Sequence, residues 1–268
     1  MSQYFIWANP KKKEWIECDP FDEYGFMFGA ASVLGNRYTD AACTLLAGPW
    51  RNDPVMFVGD YFTPKDGNRL RDLFGGYPYD AILDNFREVT GLFSDARGLS
   101  SAVYDKNISS EDIPYKGPFN IEVHHYRYAL NKTRHEFVDR DQGPISAIFD
   151  NDDKNSWFRL DPLVLLLTPR TDPDEWEGRW CCDEVTMQDE APDPASGLKN
   201  VTVSACGPWA HKHLLFASDE EVSRLASSAA FKRELRAKSI EKEPHGSIEL
   251  KGAVEVLIEL FSKQEGQR

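Results

Sequence analysis

Hydrophobic and polar residues are arranged at the start of the chain as in a β-hairpin. Residues 4–8 are aromatic and β-branched, which favours a strand, and Asn9 and Pro10 are typical of a turn. Residues 13–17 alternate charged with apolar side chains, so this segment is expected to return as the second strand. The same order of strand-like segment, Asn-Lys turn and return strand is found again at 121–138.

Short helices are predicted after each hairpin. Thr39 is expected to cap a helix over residues 41–47 that ends at Gly48. Asp161 is followed by proline, which favours a helix over residues 163–167. The other predicted elements are buried strands at 55–58 and 180–187, a polar loop at 64–76, a helix at 79–87, a strand at 201–205, and C-terminal helices at about 218–238 and 250–262.

Two blocks of sequence occur twice, in the same order. In one block, Gly48, Trp50, Asp53 and Val55 match Gly178, Trp180, Asp183 and Val185 at a constant spacing. The other block comes earlier in each copy and has a constant spacing of its own. It matches Tyr4, Asn9, Glu14, Trp15 and Ile16 with Tyr126, Asn131, Glu136, Phe137 and Val138. The repetition predicts an α+β fold of two related modules with antiparallel strands and short helices, followed by C-terminal helices. The predicted divisions are residues 1–110, 111–200 and 201–268.

The first copy resembles a family of uncharacterised proteins that have a single module of this kind. The residues that carry the resemblance are Asn9, Lys12, Lys13, Glu14 and Trp15, the 41–47 segment, and Gly48, Trp50, Asp53, Val55, Gly59, Asp60 and Tyr61. The second half is a weaker match, with Gln188 and Asp189 near the place of Gly59 and Asp60. The resemblance implies a fold unit, and because no activity is established for that family it implies no catalytic residues.

Composition narrows the class of protein. The chain has 268 residues, of which 41% are hydrophobic and 28% charged, as in a soluble globular protein. No apolar run approaches the roughly 18 residues of a membrane helix, and the first residues do not resemble a secretion signal. The five cysteines are irregularly spaced, which favours a reducing, cytoplasmic compartment over a disulfide framework.

The net charge of −13 indicates which class of partner the protein is expected to bind. Binding to phosphates requires clustered lysine and arginine, so we expect no nucleic-acid partner. An acidic surface suits a basic protein partner, and nothing in the sequence indicates a membrane partner or an oligomeric state. The acidic stretches 150–153, 172–177 and 183–193 all fall in the second half, which is therefore expected to be the more negative.

The repeated Gly-x-Trp-x-x-Asp block supplies four candidate binding residues, Trp50, Asp53, Trp180 and Asp183. The fifth candidate is Asp60, which follows the first copy of the block. An indole can stack on a ligand and a carboxylate can recognise its polar groups. The alternative is that each tryptophan fills the core and each aspartate fixes its loop. The repetition favours this structural role, because a duplicated fold needs its own packing residues twice.

Cysteine and histidine offer a second kind of site. Cys206, His211 and His213 lie close in sequence and are residue types that bind zinc, or that act together in a Cys–His nucleophile pair. Their spacing, and that of Cys181 and Cys182 upstream, matches no zinc arrangement. Residues 150–161 have the length of a calcium loop but lack its glycine and its final glutamate. We therefore predict no metal and no cofactor.

Two functions remain open from the sequence. The favoured one is a non-catalytic binding protein, in its more specific form an acidic inhibitor or immunity-type protein that engages a basic protein. The alternative is a hydrolase that uses carboxylates such as Asp53, Asp60 and Asp183, or Cys206 with His211. The sequence contains no phosphate-binding glycine loop, nucleophile elbow or metalloprotease motif, so the binding function is preferred.

Overall fold

The computed structural model describes residues 4–18, 21, 31–65, 69–93, 121–147, 157–169, 178–205, 219–240, 256–257 and 260. Helices and short, mainly antiparallel strands alternate in an α+β fold. The strands are β1 (Phe5–Asn9), β2 (Glu14–Ile16), β3 (Asp53–Pro54), β4 (Met56–Gly59), β5 (Arg87–Glu88), β6 (Tyr128–Asn131), β7 (Glu136–Asp139), β8 (Ile145–Ala147), β9 (Trp157–Arg159), β10 (Glu184–Gln188) and β11 (Lys199–Asn200). The helices are α1 (Arg37–Ala47), α2 (Arg69–Phe74), α3 (Pro78–Asn85), α4 (Pro162–Leu167), α5 (Asp219–Ala226) and α6 (Ala229–Ile240).

Each predicted hairpin is present and closes in the same way. In the first, Asn9 is opposite Glu14, and in the second Asn131 is opposite Glu136. Both turns contain a residue with positive φ, Lys13 at 55° and His135, its counterpart in the second copy, at 54°. The asparagine side chain in each hairpin accepts hydrogen bonds from backbone N–H groups of its own turn, which fixes the register.

The two main sheets have a common strand order. The first is β4-β1-β2-β5, and the second contains β10-β6-β7-β11 in the same relation, with β3 added at its edge. In both sheets the short strand next to the return strand of the hairpin is parallel to it, and the remaining pairs are antiparallel. Strands β8 and β9 form a separate two-stranded sheet.

The helices exchange places between the two sheets. Helix α1 packs against β10 of the second sheet, while α4 packs against β4 of the first. One core therefore draws on both halves of the chain, from Trp7 and Leu45 to Leu166 and Val185. Each of these helices thus helps to bury the inner face of the sheet from the other half. The predicted domain boundaries stay a prediction, and the boundary between residues 110 and 111 lies outside the described residues.

A second, smaller core covers the opposite face of the first sheet. Alternate residues of β1, such as Trp7 and Ile6, face the large core and the small core respectively, as the two-residue period of a strand requires. Helices α2 and α3 cover the small core through Leu70 and Ile82, and Cys182 reaches it from the second half.

Several local predictions are corrected by tertiary contacts. Helix α1 begins after Asn36, whose side chain accepts hydrogen bonds from the backbone of Tyr38 and Thr39. Thr39 is thus inside the helix rather than its cap, and its hydroxyl donates to the carbonyl of Ala31. The loop predicted at 64–76 contains helix α2, because Leu70 has the small core to pack against.

The C-terminal third also differs from the elements predicted from the sequence. The strand predicted at 201–205 is a turn, and the pairing segment lies earlier, at β11. Val201 directly follows β11, and its backbone N–H still donates to the carbonyl of Phe137 in β7. Val201 is therefore buried by its position next to the β7–β11 pair. The helix predicted at 218–238 is two helices, α5 and α6, separated at Ser227 and Ser228. Of the last predicted helix, only residues 256–257 and 260 are described, and they are helical.

Among the described residues, no helix combines the length and the apolar character that crossing a membrane requires.

Candidate functional site

Each repeated tryptophan is buried and bound to a glutamate of its own hairpin. Trp50 Nε1 donates to Glu14 at 2.7 Å, and Trp180 Nε1 donates to Glu136 at 2.8 Å. Both indoles have no solvent exposure. Each glutamate also forms an ion pair with an arginine, Glu14 with Arg87 and Glu136 with Arg179. In this arrangement the indoles are not available to stack on a ligand from solution.

The repeated aspartates are each held by an asparagine and a cation. Asp53 accepts from Asn9 Nδ2 at 3.1 Å and from Lys11 Nζ at 2.7 Å. Asp183 accepts from Asn131 Nδ2 at 3.0 Å and from Arg134 Nε at 2.6 Å. Burial alone would raise the pKa of Asp53, but the hydrogen bonds from Lys11 and Asn9 outweigh it and lower that pKa. Asp53 is therefore held as a carboxylate that fixes its own loop.

The two aspartate loops lie against each other through reciprocal contacts. The backbone N–H of Asn52 donates to Val185 at 3.1 Å, and that of Cys182 donates to Val55 at 2.9 Å. Cys182 is the counterpart of Asn52 in the second copy, and Val185 is the counterpart of Val55. Such an exchange, in which i contacts j and the counterpart of j contacts the counterpart of i, is the pattern of a two-fold interface.

Asp60 is separated from these groups by the length of β4. Its carboxylate accepts from the backbone N–H of Tyr4 at 3.2 Å, and its own N–H donates back to the Tyr4 carbonyl at 2.9 Å. Tyr4 is 47% exposed and the neighbouring Tyr61 is 57% exposed. Tyr79 of α3 is close enough for the charge of Asp60 to act on it, in the same direction as the burial that raises the pKa of Tyr79 to about 12. We call Tyr4, Asp60, Tyr61 and Tyr79 the tyrosine surface.

Further carboxylates surround the tyrosine surface. Asp80 and Glu17 are exposed, and their negative charges also act on Tyr79. Tyr79 itself is half-buried, with its ring packed against the small core. Aromatic rings and carboxylates thus share one end of the first sheet. Of the five candidate residues from the sequence, Asp60 is the one that lies on this surface.

A buried charge cluster joins the two halves, and the sequence reasoning did not find it. We call Asp40, His125, Arg140, Asp141 and Asp161 the central cluster. Arg140 is fully buried and donates to Asp40 at 2.7 Å and to Asp161 at 2.8 Å. His125 lies beside it, with Nδ1 2.9 Å from Asp40 and Nε2 2.9 Å from Asp141. Asp40 is in the first turn of α1, and Asp161 is the residue that caps α4, as the sequence predicted.

The central cluster favours the cationic form of His125, because both ring nitrogens lie within hydrogen-bond distance of a carboxylate. Its hydrogen bond to Asp40 raises the pKa of His125, against burial and the charge of Arg140, which act to lower it. Burial would raise the pKa of Asp40, but His125 and Arg140 outweigh it and lower that pKa. Because a carboxylate occupies each ring nitrogen, neither nitrogen is placed to accept a proton from a substrate.

His124 and His125 fall in the strand-like segment expected after residue 121, but they are not in a strand and have different partners. His124 Nε2 is 2.9 Å from Asp189, whereas His125 contacts Asp40 and Asp141. Within the described ranges, no group of three or more His, Cys, Asp or Glu side chains is placed to hold a metal. The candidate residues Cys206, His211 and His213, and most of the calcium-like segment 150–161, lie outside those ranges.

No protein family, curated protein or solved structure matches this chain. The resemblance of the first sixty residues therefore assigns no role to any residue of these sites.

Proposed function

We propose that this protein is a non-catalytic binding protein whose partner is a basic segment of another protein. The observation that carries the proposal is the tyrosine surface, where exposed rings and carboxylates share one end of a sheet. Lysine and arginine are attracted to the face of a tyrosine ring and form hydrogen-bonded ion pairs with carboxylates. The net charge of −13 attracts a basic partner over longer range and opposes a nucleic acid.

The hydrolase alternative has less support among the described residues. Asp53 and Asp183 are buried and tied to cations that fix their loops, and Asp60 is bound to the backbone of Tyr4. A hydrolytic pair of carboxylates needs one member with a raised pKa, whereas the pKa of Asp53 is lowered. The Cys206–His211 pair stays a prediction outside the described part of the chain.

Two further proposals accompany this function. We propose that the two halves are copies of one module, supported by the common strand order, the matched Trp–Glu–Arg contacts and the reciprocal backbone bonds. We also propose a reducing compartment, supported by the free thiols of Cys18, Cys43, Cys181 and Cys182. An inhibitor or immunity-type role is the most specific form of the binding function.

The binding proposal is tested with a lysine- and arginine-rich peptide, an acidic peptide of equal length and a DNA duplex. The basic peptide is expected to bind at physiological salt and the other two are not.

Tyr61→Leu removes the ring face and should weaken binding of the basic peptide several-fold, whereas Tyr61→Phe keeps the ring and should not. Asp60→Asn should weaken binding more than Glu220→Gln, which removes an equal charge from exposed residue 220 on helix α5. Preference for DNA, or equal effects of the two charge variants, would refute the proposal.

A further inference from the structure

Three sulfur atoms meet where the second half reaches the small core. Cys181 Sγ lies 3.9 Å from Cys182 Sγ, and Cys182 Sγ lies 3.9 Å from Met56 Sδ. Met56 is on β4, and the two cysteines shortly precede β10, so the cluster bridges the two halves. The backbone bond from Cys182 to Val55 holds the two segments together at this point. We call these three residues the sulfur cluster.

Two of the three separations among the sulfur atoms match those around one small soft cation. A metal–thiolate bond is about 2.3 Å long, so three sulfurs placed evenly around one ion lie about 4.0 Å apart. The Cys181–Cys182 and Cys182–Met56 separations, both 3.9 Å, are within about 0.1 Å of that value. Thiolate and thioether ligands select Cu(I), whereas a structural zinc site needs four ligands.

The sulfur cluster also departs from the repeat. At the spacing that relates Trp50 to Trp180, the counterparts of its members are Arg51 for Cys181, Asn52 for Cys182 and Thr186 for Met56. Asn52 and Cys182 both have positive φ, at 59° and 64°. Asparagine adopts this conformation readily and cysteine does so less readily, so the backbone does not account for a cysteine at 182. The reason for a cysteine at this position therefore lies in its side chain.

Arg69 lies near the sulfur cluster, and its positive charge acts on both cysteines. That charge favours the thiolates that form when a metal ion displaces the thiol protons.

The sulfur cluster is largely shielded from water. Cys182 and Met56 are buried, and Cys181 has intermediate exposure as a residue. An ion bound by the three sulfurs would be held away from most of the solvent.

We propose that Met56, Cys181 and Cys182 bind one Cu(I) ion through two thiolates and one thioether. Binding requires no redox step: the two thiols release their protons to solvent as the two copper–sulfur bonds form. The bound group carries one negative charge, which Arg69 partly offsets. This site is independent of the tyrosine surface and of the proposed partner.

The test is a titration of the reduced full-length protein with Cu(I) against a chromogenic chelator. One ion per chain is expected, with release of two protons measured by an indicator dye and with sulfur-only ligation in X-ray absorption. Cys181→Ser and Cys182→Ser should each lower the apparent affinity about 100-fold or more, and Met56→Leu, which conserves volume, about tenfold.

Two controls separate this site from other thiols. Cys206→Ser is expected to leave the affinity unchanged, and circular dichroism of each variant establishes that it is folded. If Cys182→Ser fails to fold, Cys181→Ser and Met56→Leu still decide the matter, since one is partly exposed and the other keeps its volume. Binding that survives Cys181→Ser, that is lost in Cys206→Ser, or that shows nitrogen or oxygen ligands would overturn the proposal.

Discussion

Arg140 forms buried ion pairs that join the two halves of the chain. Its guanidinium is fully buried between Asp40 and Asp161, one from each half, and it also donates to the Tyr126 carbonyl. A buried ion pair contributes little compared with a well-packed apolar pair, but removing one partner leaves uncompensated charge. The cluster therefore acts mainly by making one arrangement of the halves strongly preferred over others.

Arg140→Met should destabilise the protein by about 3–5 kcal/mol, because two buried carboxylates lose their cation. The free energy of unfolding in denaturant measures this. Arg233→Met is the matched control, since Arg233 is exposed and forms its ion pair with the adjacent Glu234 of the same helix. Its cost should stay below about 1 kcal/mol. Similar small costs for the two variants would show that the central cluster is not buried in solution.

His125 makes the stability depend on pH near neutrality. Its pKa in the folded protein is raised from 6.5 by Asp40, with Asp141 on the other nitrogen, and Arg127 lies 3.8 Å from Asp141. The stabilisation is fully present below pH 6.5 and is lost as the pH rises through the raised pKa.

His125→Gln should therefore lose stability relative to the wild type at pH 6, and the difference should shrink as the pH rises above neutrality. Thermal unfolding of both proteins across pH 5.5–8.5 measures it. His124→Gln serves as control, because the His124–Asp189 pair is about half exposed and solvent screens it. A difference that grows with pH would mean that His125 is neutral in the fold.

At the scale of elements, the turn before β10 has a steric requirement for glycine where it packs against the end of α4. Gly178 has φ of +68°, and a Cβ there would lie 2.8 Å from Pro169 Cα and from the Thr168 carbonyl oxygen. Gly197 has nearly the same φ, +70°, with open space around it. The two glycines thus separate the cost of the backbone conformation from the cost of the close contact.

Gly197→Ala should cost about 1 kcal/mol, since it introduces only the left-handed conformation. Gly178→Ala should cost about 1–3 kcal/mol more, because the backbone must also move. Denaturant unfolding compares them. Equal costs would indicate that the backbone at residues 168–169 and 178 moves apart easily. The close contact of Gly178 would then not be needed to position Trp180.

Elements with a strong local pattern are the ones that the sequence predicted. Both hairpins follow from an Asn-containing turn between strand-like segments, and α4 follows from Asp161 before proline. The errors lie where a distant contact decides. Helix α2 forms in a polar stretch because Leu70 meets the small core, and Val201 is buried by pairing with β7 rather than by a strand of its own.

In the candidate sites, too, local patterns were predicted from the sequence and contacts between distant segments were not. The repetition favoured a structural role for Trp50 and Trp180, but their glutamate and arginine partners come from separate segments that no local pattern connects to them. The central cluster depends on the exchange of α1 and α4 between sheets. Matching positions in two halves show that a motif recurs, and they contain no information on how the copies are placed against each other.

At the scale of the whole molecule, charge governs encounter with a partner. The net charge is −13, and the tyrosine surface carries Asp60 with Asp80 and Glu17 nearby. The stretches 150–153 and 172–177, expected to make the second half more negative, lie outside the described residues. The described acidic groups near the proposed site are therefore in the first half, so the more negative second half stays a prediction.

The association rate with the basic peptide should fall steeply as ionic strength rises from 0.02 to about 0.3 M, because salt shortens the range of charge attraction to less than about 10 Å. Stopped-flow fluorescence measures the rate. The dissociation rate should change less, because short-range ring contacts set it. Glu220→Gln should lower the association rate slightly and leave dissociation unchanged, whereas Asp60→Asn should also speed dissociation. An association rate independent of salt would remove the electrostatic part of the proposal and leave the tyrosine rings as its sole basis.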